Sequence, residues 1–213
     1  MIPKNEAQAL FRRAKGRHQQ RIDAAIKQVE RWVWCKGTWH EHTLTCFARY
    51  QFLQQPTFMK AEPKKKGHGI NAYGFDAQDR LVYEKYYFDP RSFSHVAIRH
   101  VAGGLESTRY RNDGALLDAW VVRTGRHGVT EIRIRDWQDA DSHWKVRYQA
   151  GRPQIATVEH TVPDQPRSKY TLTAEWDANG TLCRLLRHDL RWDRDSIAWE
   201  RPAKRKAPPR KRR

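Results

Sequence analysis

The chain is long, polar and strongly basic. Its 213 residues include 41 lysines and arginines against 24 aspartates and glutamates, a formal charge of +17. No apolar run approaches the roughly 20 residues that a membrane-spanning helix needs, and no apolar stretch follows the charged N-terminus as in a secretory signal. Three cysteines do not make a disulfide framework and are typical of a reducing compartment. We therefore expect a cytoplasmic protein, or a nuclear one in a eukaryote, with no membrane partner.

The positive charge is concentrated at the two ends of the chain. Residues 1–36 hold nine lysines and arginines with three acids, and residues 201–213 hold eight with none, so the ends carry +6 and +8. Residues 37–200 carry the remaining +3. Cationic segments bind polyanions because they release the counterions that nucleic acid condenses. This distribution predicts a nucleic-acid partner, either RNA or DNA.

An amphipathic helical pattern occupies the N-terminal segment. Apolar residues recur at steps of three and four from Phe11 to Val33, which predicts helix over residues 4–35, divided at Gly16. We expect residues 1–36 to pack as helices on the rest of the fold. Their outer cations either follow phosphates or form an ordinary solvated face. The cations predicted to contact phosphates are Arg12, Arg13 and Arg17.

After Gly37 the hydrophobic period changes from about 3.6 to 2. Residues 39–52 alternate as a half-buried strand, and residues 53–68 contain prolines, Gly67 and three lysines that predict a loop. Short segments with the same alternation then follow, and the short connections between them are typical of an antiparallel meander. These segments lie near residues 69–76, 81–88, 95–101, 105–111, 116–123, 129–136, 143–149, 154–161, 169–177 and 181–192.

The predicted fold is α+β and mainly β. It consists of the helical segment, residues 1–36, packed as one unit on a curved or partly closed antiparallel sheet of ten or eleven strands in residues 37–200. Residues 201–213 contain three prolines and no apolar side chain larger than alanine, so they bury too little surface to offset the entropy of ordering. We predict a disordered basic tail that binds polyanions, or else a solubilising tail or nuclear-import signal. Its predicted contacts are Lys204, Arg205, Lys206, Arg210, Lys211, Arg212 and Arg213.

Three turns share a seven-residue pattern. Residues 75–81, 110–116 and 176–182 each begin with an aromatic residue, continue through a polar turn and end with leucine. The fifth residue is glycine or aspartate, types that tolerate a left-handed backbone. We therefore predict three hairpins, each closed by an aromatic–leucine pair across the strands.

This pattern resembles the YD repeat of the RHS family, an aromatic-Asp-x-x-Gly-x-Leu hairpin. Residues 176–182 match it fully, whereas Asp79 stands where the repeat has glycine and Arg111 stands where it has aspartate. The three stretches cover 21 residues of 213, and their aromatic residues lie 35 and then 66 residues apart instead of in tandem. The resemblance implies a hairpin-rich sheet, without the family's long encapsulating shell, and a loose link to the toxin and immunity proteins that accompany RHS elements.

Three groups of metal-ligand side chains lie close together in sequence. The first lacks the paired C-x2-C spacing of a zinc site, and the other two combine carboxylates with histidine, as in metal-dependent phosphodiester hydrolysis. Polar hairpin turns explain the acidic groups better, so we predict no metal, no cofactor and no catalytic residue. The groups are Cys35, His40, His42 and Cys46; Asp136, Asp139, Asp141 and His143; and His188, Asp189, Asp193 and Asp195.

A row of cations follows two middle strands at period 2. If Ile132, Ile134 and the apolar residues of the next strand face inward, the intervening cations share the outer face. Such a face could hold a phosphate backbone, although outward cations also simply discourage edge aggregation. With the loop lysines, the remaining predicted contacts are Lys64, Lys65, Lys66, Arg133, Arg135, Lys145 and Arg147.

The sequence contains no motif that fixes a reaction. A nucleophile elbow, a phosphate-cradling loop and an H-E-x-x-H helix are all absent. We expect a non-enzymatic protein that contacts nucleic-acid phosphates with little base readout, as a subunit of a larger bacterial nucleoprotein complex. The alternatives are an interaction or immunity-type protein that docks an acidic partner, and a metal-dependent nuclease that uses the group at residues 136–143.

Overall fold

The computed structural model describes residues 1–37 and 57–200. Two helices precede thirteen strands in this part of the chain. The helices are α1 (Glu6–Ala14) and α2 (His18–Ile26). The strands are β1 (Arg31–Lys36), β2 (Thr57–Met59), β3 (Ile70–Phe75), β4 (Leu81–Tyr87), β5 (Phe93–Val101), β6 (Gly104–Arg111), β7 (Leu116–Gly125), β8 (Gly128–Asp136), β9 (Asp141–Gln149), β10 (Arg152–Thr161), β11 (Ser168–Trp176), β12 (Leu182–Asp189) and β13 (Arg194–Glu200).

All thirteen strands belong to one antiparallel sheet. From β4 to β12 each strand pairs only with its neighbours in sequence, whereas β1 lies between β3 and β2. The sheet is open, with β2 and β13 at its edges. The mainly-β class and the meander are confirmed, but the predicted count of ten or eleven strands is too low.

Three strands account for the difference. The helical spacing of Val29 and Val33 predicts the end of a helix where β1 lies; in the structure Trp32 and Trp34 lie opposite β3 instead. β2 falls inside the predicted loop, and β13 follows the last predicted strand. The strand predicted at residues 39–52 and the tail at residues 201–213 lie outside the described residues.

The two helices cover one face of the sheet, where α1 lies against β6, β7 and β8 and α2 lies against β4 and β5. We call this the helix side. The predicted break at Gly16 is confirmed, since this residue has a φ of 74°, a conformation that glycine adopts at little cost. The helices bury small and aliphatic side chains and leave their cations outside. The buried helical residues are Ala7, Leu10, Ala14, Ile22 and Ala25.

The opposite face holds the rest of the core. In β9 to β12 it consists of small and aliphatic side chains that larger aromatic rings partly cover. Burial of this apolar area stabilises the C-terminal half of the sheet at about 25 cal/mol per Å². The buried members are Val146, Ala156, Val158, Leu172, Ala174, Leu182 and Leu185, and the rings packed against them belong to Trp144, Tyr148, Tyr170 and Trp176.

The three predicted hairpins are confirmed in detail. Their aromatic and leucine residues are direct cross-strand partners: Phe75 with Leu81, Tyr110 with Leu116 and Trp176 with Leu182. The fifth residues have positive φ angles of 59°, 88° and 74°, in chain order. The turn residues therefore set the register of each hairpin, as the sequence predicted.

A fourth turn, residues 135–141, follows the same scheme. The Asp136 amide donates to the Ala140 carbonyl at 3.1 Å, and Asp139 has a φ of 62°. Arg135 and Asp141 occupy the positions of the aromatic and leucine residues, and they pair at 2.7 Å through a salt bridge. The polar turn predicted between these strands is confirmed, but it lies outside the aromatic–leucine pattern because an ion pair replaces the apolar pair that closes the others.

Candidate nucleic-acid interface

The side chains of the acidic group at residues 136–143 are engaged in contacts within and beside this hairpin turn. Asp136 Oδ1 accepts hydrogen bonds from the Gln138 and Ala140 amides, both at 2.9 Å. Asp139 and Asp141 both bind Arg135, and His143 Nε2 lies 2.8 Å from Glu131 Oε1. Each of the four side chains thus has a partner within the fold, and the described residues contain no group of three or more side chains placed to hold a metal ion. The nuclease alternative is left without a site there.

The other two groups are similarly engaged where they are described. His188 contacts Asp195 at 2.9 Å and Asp193 at 3.6 Å, while Asp189 accepts backbone hydrogen bonds in the adjoining turn. Cys35 is fully buried and its Sγ donates to the Gly37 carbonyl at 3.1 Å. Burial raises the pKa of its thiol to about 11, which disfavours the thiolate that zinc requires. His40, His42 and Cys46 lie outside the described residues.

We expect Asp136→Ala to lower the free energy of unfolding by about 1 to 2 kcal/mol, because two turn amides lose their acceptor. Urea denaturation measures this change. Asp139→Gly is the matched control: it relieves a positive φ while losing an exposed salt bridge, so its effect should stay within about 0.5 kcal/mol. Divalent-dependent nucleic-acid cleavage that Asp136→Ala abolishes would contradict the structural role.

The predicted basic row on β8 and β9 does lie on one face, the helix side, but only half of it is open. Arg133 Nε donates to the Ile2 carbonyl at 3.0 Å. The Arg135 side chain is 13% exposed and bound to its two aspartates. Lys145 and Arg147 are exposed. The sequence therefore identified the correct face, but the docked N-terminus and the turn take up Arg133 and Arg135.

A buried glutamate ties the N-terminus to β8. Glu131 is 7% exposed, and its carboxylate accepts a hydrogen bond from the Ile2 amide and pairs with His143, both at 2.8 Å. Burial raises the pKa of Glu131, but these two hydrogen bonds outweigh it and hold the pKa below its ordinary value. Ile2 is itself only 1% exposed. Helix α1 is therefore anchored to a strand that begins more than a hundred residues later in the chain.

Cations of the N-terminal helices differ from those of the sheet in their partners. Among the seven lysines and arginines of residues 1–30, only Arg13 lies within ion-pair distance of a described carboxylate, at 3.8 Å from Glu106. The sheet, by contrast, neutralises most of its arginines by ion pairs. The helical cations without a described carboxylate partner are Lys4, Arg12, Lys15, Arg17, Arg21 and Lys27. The paired sheet cations include Arg31, Arg80, Arg99, Arg109, Arg111, Arg123, Arg135, Arg167, Lys169, Arg184 and Arg187.

A cleft of about 370 Å³ opens between α2 and β5. Its charged lining consists of Arg17, Arg21 and Arg99, and no acidic side chain of the described residues lines it. Of these three arginines, Arg99 is paired with a described carboxylate, Glu106, at 2.7 Å. We refer to this feature as the arginine cleft. It joins the predicted Arg17 to two arginines that the sequence did not single out.

A larger cleft of about 580 Å³ lies between the α1 end of the chain and β8 to β10. It is lined by Lys4, Arg133 and Arg167 but also by Asp141 and Glu159, so its charges nearly cancel. This mixed lining favours a polyanion far less than the arginine cleft does.

The loop that carries Lys64, Lys65 and Lys66, here called the lysine loop, provides two open cations beside the sheet edge. Lys64 and Lys65 are exposed, whereas Lys66 Nζ lies 2.6 Å from Glu62 and 5.7 Å from the centre of the Trp34 ring. Arg12, Arg13 and Arg17 are exposed as predicted. The structure therefore places the exposed predicted cations on the helices, on the lysine loop at Lys64 and Lys65, and on β9 at Lys145 and Arg147, whereas Arg133 and Arg135 of β8 are engaged within the fold.

Comparison with protein-family models, with curated proteins and with solved structures gives no match to this chain. No described helix is long and apolar enough to cross a membrane. The resemblance of the hairpins to YD repeats stays a prediction. The partners of the charged side chains are therefore the main guide to function.

Proposed function

We propose that this protein binds nucleic acid through the cations of its N-terminal helices and its basic tail, and that it does so without catalysing a reaction. The observation that carries the proposal is the contrast in ion pairing between the helices and the sheet. Most arginines of the sheet have a carboxylate partner, whereas six of the seven cations of residues 1–30 have none among the described residues. Unneutralised charge on one layer costs self-repulsion, which a polyanion relieves.

Contacts of this kind position a protein on the phosphate backbone and carry little sequence information. Helices α1 and α2 supply the first surface, and Lys145 and Arg147 on the same side of the sheet supply a second. Both RNA and DNA present the required phosphates. We further expect the protein to act as a subunit of a larger nucleoprotein complex.

Fluorescence anisotropy with labelled RNA, single-stranded DNA and duplex DNA tests the proposal. We expect the logarithm of the binding constant to fall linearly with the logarithm of salt between about 50 and 200 mM. Neutralising Arg12, Lys15 and Lys27 with glutamine should weaken binding by about tenfold or more and reduce the slope by about two to three.

A charge-matched control comes from the sheet. Glutamine at Arg31, Arg111 and Arg184 removes the same formal charge from three partly exposed ion pairs, and it should change affinity much less. An equal loss in both triple variants would contradict the assigned surface. A flat salt response with all three nucleic acids would overturn nucleic-acid binding itself and favour an acidic protein partner.

A further inference from the structure

We infer that the arginine cleft between α2 and β5 binds a phosphomonoester, namely the terminal phosphate of a nucleic-acid strand. The inference rests on the proposed function, since it names the group that one part of the basic surface recognises. It is carried by the excess of arginines over carboxylates at the cleft.

Helix α2 begins with an unfavourable arrangement of charge. Arg17 occupies the N-cap position without a side-chain capping hydrogen bond, and the first turn of α2 contains no acidic residue. The positive end of a helix dipole favours anions, so an arginine there is the less stable choice. Arg21 follows one turn later, with its amide 3.0 Å from the Arg17 carbonyl. Like charges at this spacing repel each other.

The sheet adds to this positive charge. Arg99 of β5 lines the opposite wall, and its Nε and Nη2 donate to Glu106 Oε2 at 3.2 and 2.7 Å. The other Glu106 oxygen lies 3.8 Å from Arg13, so one buried carboxylate serves two arginines. Four arginines against one glutamate leave a formal charge of +3 around the cleft.

The chemistry of the lining selects the ligand. Guanidinium groups present paired donors that match phosphate oxygens, and such charge-assisted hydrogen bonds are strong. A terminal phosphate carries about −1.5 to −2 at neutral pH, against −1 for a backbone phosphodiester, and so compensates +3 more completely.

The test compares oligonucleotides of one sequence that carry either a 5′-phosphate or a 5′-hydroxyl. At equal salt we expect the phosphorylated form to bind the full chain about tenfold more tightly. Replacing Arg17 and Arg21 with glutamine should abolish this preference. Replacing Arg12 and Lys15, which do not line the cleft, should weaken both forms equally and preserve the ratio.

Thermal melting gives a readout that does not depend on strand binding. Inorganic phosphate and a nucleoside monophosphate should raise the melting temperature of the wild-type protein but not that of the Arg17, Arg21 double variant. Without ligand, the double variant should melt at or slightly above the wild-type temperature because like-charge repulsion is removed. A lower melting temperature together with lost binding would assign these arginines a structural role and overturn the inference.

The outcomes separate this inference from the proposed function. Salt-dependent binding with equal affinity for both ends overturns the cleft as a terminal-phosphate site and leaves general nucleic-acid binding standing. Stabilisation by the monophosphate without binding of any oligonucleotide overturns the strand end as ligand and the proposed function with it. A preference for the 5′-phosphate that is lost only when Arg17 and Arg21 are replaced supports both the cleft site and the proposed function.

Discussion

Removal of residues 201–213 is expected to weaken nucleic-acid binding at least about a hundredfold near 100 mM salt and to lower the slope of its salt dependence by several units. The reason is electrostatic: these thirteen residues contain eight lysines and arginines and no acid. Each phosphate that the shortened protein leaves unneutralised takes about 0.9 from the slope on duplex DNA. Anisotropy titrations at several salt concentrations measure both quantities.

A shuffled tail with the same composition is the matched control. Counterion release does not depend on residue order, so the shuffled protein should retain nearly the full affinity and slope. If shuffling is as damaging as deletion, a specific motif in the tail is being read, as a nuclear-import signal would be. Unchanged affinity after deletion would contradict the role of the tail.

The other large effect is on stability, at Glu131. We expect Glu131→Ala to lower the free energy of unfolding by about 3 kcal/mol, because the Ile2 amide and His143 lose a buried partner and α1 loses its anchor. Urea denaturation at neutral pH measures the loss. Glu159→Ala is the control on the same face: its carboxylate is paired with Arg167 and Lys169 nearer the surface, so we expect less than about 1 kcal/mol.

The loss at Glu131 should depend on pH in a defined direction. Its folded pKa lies below the ordinary value, so its stabilising contribution is full above an unfolded pKa of about 4.3 and disappears as pH falls through the folded pKa. The difference in stability between wild type and Glu131→Ala should therefore shrink in acid. A constant difference from pH 7 down to about pH 2 would show that the hydrogen-bonded anion is not its source.

The local parts of the fold were predictable and the distant contacts were not. Strands β3 to β12 each alternate over a few residues and end in turns whose glycines and aspartates are visible in sequence. β1 escapes prediction because its apolar residues also satisfy a helical period, and only its pairing with Ala72, far along the chain, settles the conformation. Hairpin chemistry is encoded locally, whereas sheet order at the β1 end is not.

The same distinction applies to the candidate site. The sequence placed Arg17 on an outer helical face, but nothing local shows that Arg99 lies across the cleft from it. It also placed Arg133 on the correct face of β8 without revealing that Ile2 covers it. Periodicity predicts which way a side chain points. It does not predict which distant segment will cover that side chain.

The bond between Ile2 and Glu131 also orders events during synthesis. Hairpins from β3 onward pair with sequence neighbours and are able to form as they leave the ribosome. Helix α1 is made before the sheet, yet its anchor, Glu131 of β8, lies 129 residues after Ile2. Its apolar face therefore stays unburied until the strands on which it packs, β6 to β8, have been made. Helix α1 thus docks on strands that are synthesised well after it.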